Sequence, residues 1–503
     1  MPAAARSPGI TRAKPPMPRD GGPSAVLRAA VPAGRHYWRG LLPLLAAVAA
    51  LTHLPSFLHV VWNPDEGFLA TEARLLSHGG VLYQTVVDRK PPLVPWLYEG
   101  ALRLFGDTSL WPLKVLALAA HLATAALLAS LARRRWSDRA GVLAGVGYLL
   151  VSIGLAPEDS QAATFEVFML PWTVAAFWCA DRRRWAPAGL AVAGAVLTKQ
   201  TGGAVLLPVL WMLWRSGPHA RRGRGAAALA AGFAVPLLAA ASALGFSRFV
   251  FWTVTGSGSY VSASGAWLAV AGRGLGNAGI VAAACAGFLV PAAVAVRRRT
   301  PGTGDGDLWV WLAASAVAVV TGFQFYGHYY LQLLPPLVLI GVAALRGLPR
   351  WRRPALAWTA LAACGFLAWG LAAPPSGLSH SGSVAAAVSD RTAPGERVLV
   401  WGMHPEVYWL AHRPPASRYL TAGFLTNFSG GRDGARVGER YAVPGAWQTF
   451  RDEMRRHPPG LVVDDSRGQP YGPAQVPAFR DLLRRRYRPV ATCDGAVLYA
   501  LRR

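Results

Sequence analysis

"WNPDEGFLATEARLLSHGGVLYQTVVDRKPPL", residues 62–93, follows an apolar run long enough to cross a membrane. The chain leaves that run straight into Asp65 and Glu66, then brings Asp88, Arg89 and Lys90 against Pro91 and Pro92. Between them Phe68, Leu69, Leu75 and Leu76 are spaced as in a helix lying in a membrane interface. Asp65 at a helix start can serve as a cap, because an acid there meets free N–H groups, and that does not preclude a second role.

Composition agrees with a membrane edge at this point. Of 503 residues 53% are hydrophobic and 15% charged, and mean hydropathy is +0.29, more than a soluble chain of this size can solvate. The net charge of +26 is not that of a nucleic-acid binder, whose Lys and Arg gather in one patch with aromatics. Here they form short clusters between apolar runs: Arg133-Arg134-Arg135, Arg182-Arg183-Arg184, Arg221-Arg222-Arg224, Arg297-Arg298-Arg299 and Arg350-Arg352-Arg353. That is the positive-inside pattern. Cys179, Cys285, Cys364 and Cys493 show neither metal-ligand spacing nor a disulfide framework and read as small buried apolar residues.

Residues 1–36, rich in Ala, Pro, Gly and Arg, read as a disordered cytoplasmic tail. Apolar runs near 40–61, 109–132, 140–156, 165–180, 186–198, 202–214, 226–246, 277–296, 308–325, 329–345 and 355–373 predict about eleven transmembrane helices. With the tail inside, every Arg cluster falls on the inner face. Residues 37–373 would then form a membrane domain with an outer-face loop at 63–108, and residues 374–503 would lie outside. In that last segment "RVLVWG" (397–402), "GLVVDD" (460–465) and "GAVLYAL" (495–501) read as strands, and "FRDLLRRRY" (479–487) as an amphipathic helix. The expected fold is mainly α: a polytopic membrane protein with a small C-terminal extracytoplasmic α/β domain.

Acids and lysines mark the outer face. Nine of the thirteen Asp and Glu between residues 40 and 373 map there: Asp65, Glu66, Glu72, Asp88, Glu99, Asp107, Glu158, Asp159 and Glu166. The chain has four lysines, and Lys90, Lys114 and Lys199 map to the outer half, where a compact ammonium suits phosphate. Snorkelling accounts for Lys114 beside Trp111. "DRKPPL" is open to reading as an ordinary surface turn, and Lys199 in "LTKQTGG" as a packed, charge-paired lysine. Lys199 sits, however, where two short apolar runs join, and broken helices leave backbone groups to be satisfied by a cavity or ligand.

The Asp-Glu pair after the first span, the amphipathic stretch, "DRKPPL" leading into "WLYEGALRLFG" and a second span with a basic inner end resemble the GT-C superfamily of membrane glycosyltransferases. The resemblance is to the branch of protein O-mannosyltransferases and lipid A aminoarabinose transferases. It covers residues 38–215 and extends through "GHYYLQLLPPL" (327–337) to residue 373. It implies an enzyme that moves a sugar from a polyprenyl-phosphate carrier to an acceptor hydroxyl at the outer membrane face. The matching acid is Asp65, with Glu66 beside it. In such enzymes a second acid follows the third span, which "SQAATFEVFMLP" matches with Glu166, and Glu158 and Asp159 are its neighbours. "DRKPP" stands where aminoarabinose transferases have a Glu-Lys-Pro-Pro-like motif, a departure that leaves that substrate open.

Elementary chemistry assigns roles. A sugar linked through C1 to phosphate already has a good leaving group if fixed cations hold its growing charge; Lys90, Arg89 and Lys199 are the candidates. The acceptor hydroxyl needs a carboxylate base, worth about 10²- to 10⁴-fold; Asp65 is the candidate, with Glu166 orienting a substrate. His328 is a further phosphate contact, and Asp88, Glu158, Asp159, Tyr329 and Gln332 are candidate substrate contacts, although an aromatic belt also explains the tyrosines. No metal or cofactor is required. "HPEVYWLAHRPPASRYL" (404–420) suits carbohydrate contact but equally any solvated helix and loop. The expected partners are the lipid-linked donor, a lipid, glycan or protein acceptor, and membrane lipids, with no nucleic acid. The Ala, Gly and Arg bias suggests a bacterial plasma membrane. The rival reading is a secondary transporter, which would place ionisable groups near mid-membrane.

Overall fold

The structure, a computed structural model, describes residues 36–257, 267–298, 306–372, 374, 378–428 and 436–502. Most of the proposed tail, 1–36, therefore lies outside the described residues, as do Arg299 and Asp305.

Helix α1 (Tyr37–Thr52) buries Tyr37, Leu41, Leu45 and Ala49, a row spaced by four residues. Helix α2 (Pro64–Ser77) begins where the sequence signals it: Asn63 accepts a hydrogen bond from the Asp65 amide, Pro64 occupies the first turn, and Asp65 and Glu66 follow. Then come α3 (Leu93–Phe105), α4 (Trp111–Arg135), α5 (Asp138–Val151), α6 (Phe165–Asp181), α7 (Trp185–Thr198) and α8 (Leu206–Trp214). After these run α9 (His219–Leu244), α10 (Phe246–Thr253), α11 (Trp267–Ala284), α12 (Ala286–Arg297), α13 (Gly306–Thr321), α14 (Leu334–Gly347) and α15 (Arg352–Ala372).

Among the described residues four helical stretches are long and apolar enough to cross a bilayer: Trp111–Arg135, His219–Leu244, Gly327–Gly347 and Pro349–Ala372. Tyr37–Thr52, Trp185–Thr198, Gln200–Trp214 and Gly306–Thr321 are apolar but shorter; at 1.5 Å per residue they reach about 21–24 Å against a core of about 30 Å. The count of eleven thus rests on the sequence. The run expected as one span at 277–296 is not straight: α11 and α12 meet at Cys285 with a bend of 86°. Cys179 and Cys285 are buried as expected, whereas Cys364 is exposed and Cys493 half-exposed.

Helix α16 (Leu378–Ser389) leads into a four-stranded sheet of order β1-β2-β4-β3. Strands β1 (Val398–Trp401) and β2 (Leu461–Asp464) are parallel, and β4 (Ala496–Leu501) pairs antiparallel with both β2 and β3 (Tyr487–Cys493). Helices α17 (Glu406–Leu410), α18 (Ala446–Arg456) and α19 (Pro477–Arg486) belong to this part, with a short turn of helix at Gly423–Thr426. Three of the strands and α19 lie where the sequence pattern put them. Strand β3 was not anticipated, because it is a largely exposed edge strand with Pro489 and a register shift.

This α/β part seats on α2. Thr71 Oγ1 donates to the Pro405 carbonyl at 3.2 Å, Arg74 donates to the carbonyls of Tyr408 and Trp409 and lies 4.0 Å over the Trp409 ring, and Arg418 donates to the Gln84 carbonyl at 2.6 Å. Gly67 is the closest approach: a Cβ there would stand 2.2 Å from Glu406 Cβ and 2.8 Å from its Cα. Gly67→Ala is therefore expected to cost about 1–3 kcal/mol through forced displacement of α17. Gly100→Ala in α3, whose Cβ meets nothing within 4 Å, should be neutral or stabilising. Thermal melting of the two variants makes the comparison.

Candidate active site

Three separate stretches converge on the N-terminal end of α6. The first is the loop before α3. Asp88 is buried and accepts from the Arg89 amide at 2.6 Å; Tyr83, held at φ 65°, donates its hydroxyl to the Lys90 carbonyl at 2.6 Å. Lys90 lies 5.3 Å over the Phe165 ring and Arg89 5.1 Å over Phe424.

The second is the break between α7 and α8. Lys199 is extended (φ −154°, ψ 138°), and residues Gln200–Val205 form a 3₁₀ turn before α8. The buried Lys199 ammonium pairs with Glu166 Oε1 and sits 3.9 Å over the Tyr329 ring. The charge-paired reading of Lys199 is thus correct as far as it goes, and its partner is a candidate site acid.

The third is the 3₁₀ segment Gly327–Leu333. His328 Nδ1 lies 2.6 Å from Asp159 Oδ1, and its Nε2 lies 3.9 Å from Glu166 Oε1. Gly327 makes room for this: a Cβ there would stand 2.4 Å from Asp159 Oδ2. Gln332, expected to contact substrate, instead donates to the Tyr329 carbonyl at 2.9 Å and is buried.

Asp65 is half-buried at the first turn of α2. Its charge and that of Lys90 both act on Asp88 and on Lys199, and Lys90 also acts on Glu166. The opposite charges of the loop before α3, the start of α2 and the helix break therefore share one neighbourhood. Glu66, expected beside Asp65 in the catalytic set, turns the other way: it is fully buried and accepts from the amides of Trp62 and Ala163, each at 2.7 Å. With both oxygens given to backbone it braces two loops. Glu158 is half-buried, and its carbonyl accepts from Asn63. Lys114 does not snorkel; it is buried and donates to the carbonyls of Ser56 and His59.

Sequence reasoning missed Gln200, whose amide donates to the Arg89 carbonyl at 2.7 Å and the Thr253 carbonyl at 3.1 Å, tying the cationic loop to the helix break. Its only sequence signal was adjacency to Lys199. It also gave Glu72 no role. Glu72 is fully buried, and burial followed by the nearby Asp88 carboxylate pushes it well above the usual carboxylate range.

Burial, partly offset by Lys90 and the Arg89 amide, raises the Asp88 carboxyl to about 6. An acid whose folded pKa is raised binds its proton more tightly in the fold than in the unfolded chain. The protein should therefore gain stability as pH falls from about 6 to about 4, and carry the full penalty of the ionised form above 6. Asp88→Asn should melt higher than wild type at pH 7.5, with the gap closing at pH 4.5; a constant gap would contradict this.

Residues 89–246 match the family model described as dolichyl-phosphate-mannose-protein mannosyltransferase. The matched stretch holds Arg89, Lys90, Asp159, Glu166 and Lys199; Asp65 and His328 lie outside it. Among solved structures, ArnT from Cupriavidus metallidurans in the apo state is similar with a TM-score of 0.58 at 17% identity, over 92% of this chain and 98% of that one. The Archaeoglobus fulgidus oligosaccharyltransferase tethered to an acceptor peptide aligns at a TM-score of 0.47 and 13% identity, over 93% of this chain and 74% of that one. No curated protein sequence matches the chain. The chain thus has the ArnT fold, and residues 89–246 are similar to the mannosyltransferase family.

Proposed function

We propose that this chain, built on the ArnT fold, is a membrane glycosyltransferase that moves a sugar from a polyprenyl-phosphate donor to an acceptor hydroxyl at the outer face of the membrane. The observation that carries the reading is the buried Lys199–Glu166 pair at a helix break, within charge reach of both Lys90 and Asp65. The family model's description, a mannosyltransferase using a lipid phosphate sugar, supports the donor class.

In this reading the donor phosphate rests on Lys90, Arg89 and Lys199, with His328 at its edge. The acceptor oxygen attacks C1 from the side opposite the phosphate and gives its proton to Asp65. The C1–O bond breaks, the electron pair leaves with the polyprenyl phosphate, and the configuration at C1 inverts. Ammonium and guanidinium groups fixed at the departing oxygen would hold its growing charge with little reorganisation. Glu166 keeps Lys199 charged and in place, and Asp159 does the same for His328. The chain would sit in the plasma membrane with its α/β part outside. No comparable observation favours a secondary transporter.

Mass analysis of lipid-linked sugars and envelope glycans from cells with and without the protein tests the proposal. A polyprenyl monophosphate sugar should accumulate in its absence while one glycan loses a residue. Unchanged pools on both sides would refute it.

A further inference from the structure

The α/β part carries a second polar cluster, built where its two parallel strands end. Beyond β1 the chain runs Gly402-Met403-His404, and beyond β2 it runs Asp465-Ser466-Arg467. In α/β sheets the loops at the carboxyl ends of parallel strands are the ones that meet ligands. Here His380 Nε2 lies 2.9 Å from Asp465 Oδ1, and Arg467 Nε lies 3.2 Å from the same oxygen. His404 Nδ1 lies 2.8 Å from Glu406 Oε1, to which Ser381 Oγ donates at 2.6 Å, and Arg467 Nη2 lies 3.3 Å from His404 Nε2. One network thus joins two histidines, two carboxylates, a serine and an arginine.

Both carboxylates are fully buried, yet each keeps one oxygen, Glu406 Oε2 and Asp465 Oδ2, with no hydrogen-bond partner. A buried carboxylate oxygen left without a donor is costly and calls for a ligand group or water. Gly402 packs closely on the Asp465 carboxylate, since a Cβ on it would stand 3.1 Å from Asp465 Cβ and 3.4 Å from Oδ2. Arg467, with a side chain 42% exposed, and the partly exposed His404 form the open side.

We infer that this cluster binds the hydroxyl groups of a saccharide, forming a remote subsite for the acceptor; the acceptor role rests on the proposed function. A hydroxyl both donates to the unpartnered carboxylate oxygens and accepts from the Arg467 N–H groups, which is the pattern the cluster presents. Two carboxylates beside the guanidinium disfavour an anion. Among the described residues no group of three or more His, Cys, Asp or Glu side chains is placed to hold a metal ion. A serine nucleophile is excluded by geometry, because Ser381 and Glu406 share the same ring nitrogen of His404, whose other nitrogen faces Arg467.

The position fits a subsite rather than a reaction centre. At 100° per residue Gly67, Thr71 and Arg74 share the face of α2 that meets the α/β part, and Asp65, Leu69 and Glu72 share the opposite face. Glu406 packs on Gly67, so the cluster lies behind the helix that carries Asp65.

The test titrates the full-length protein in lipid nanodiscs with neutral manno-, arabino- and gluco-trioses, with spermidine and with inorganic phosphate, by calorimetry. At least one triose should bind, at least tenfold more weakly to Asp465→Asn and Arg467→Ala and equally to Asp65→Asn, and neither spermidine nor phosphate should displace it. Arg467→Ala, at an exposed position, keeps the test open if Asp465→Asn does not fold. The inference is overturned if no triose binds, if Arg467→Ala binds as wild type does, or if spermidine or phosphate competes. Loss of triose binding in Asp465→Asn or Arg467→Ala with intact binding in Asp65→Asn supports the subsite whatever the transfer assay shows. Retained transfer by Asp65→Asn would count against the reaction centre alone.

Discussion

Asp65→Asn is expected to lower sugar transfer by about 10²- to 10⁴-fold, the range that loss of a general base produces, with expression and melting temperature close to wild type. The cap of α2 is made by the Asn63 side chain, so the Asp65 carboxylate is not needed to start the helix. Asn has the same shape and still stands beside Lys199 and Asp88, but it cannot take the acceptor's proton. The loss should fall on kcat, with KM for the lipid donor nearly unchanged, because the missing interaction is made in the transition state. Transfer within threefold of wild type would remove Asp65 from the mechanism.

The second large effect concerns the Lys199–Glu166 pair. Lys199→Ala leaves the Glu166 carboxylate fully buried beside only His328 and the more distant Lys90. Breaking a buried pair by removing one partner typically costs about 3–5 kcal/mol, because the remaining charge is uncompensated. A folding change of that size would lower the melting temperature sharply and mask any catalytic role. The double change Lys199→Met with Glu166→Gln removes both charges at similar volume and should recover most of the stability, since replacing both partners is often neutral. It should not recover transfer. Recovery of both would make the pair a structural feature only.

The local signals in the sequence were read correctly where they depend on near neighbours. Asn63, Pro64, Asp65 and Glu66 start α2, the helix break falls on Lys199, and three strands of the sheet lie in their apolar runs. What stayed hidden depends on distant packing. The bend at Cys285 follows from contacts no local pattern carries: a Cβ on Gly287 would stand 2.3 Å from Thr359 Oγ1, and Phe288 fills the space beside Gly147 and Gly341. Likewise, Asp65 and Glu66 are alike in sequence, and what separates them is the Ala163 amide, 97 residues away, which donates to Glu66 Oε1. His328 was legible as a candidate, but its partner Asp159 lies 169 residues earlier and became visible only through the fold. Strand β3 had neither an apolar run nor clear alternation, and its pairing with β4 supplies what the residues alone do not.

The central claim is that anions and cations from the outer loop, the helix break and the 327–333 segment jointly cleave a phosphate-linked sugar. Its most direct test is the fate of a labelled polyprenyl-monophosphate sugar incubated with the purified protein in nanodiscs and an envelope-glycan acceptor. The account predicts acceptor-dependent release of polyprenyl phosphate, with the opposite configuration at C1 in the product, and none of either from the double Lys90→Ala, Lys199→Met variant. Retention of configuration, or release at the wild-type rate by that variant, would contradict it.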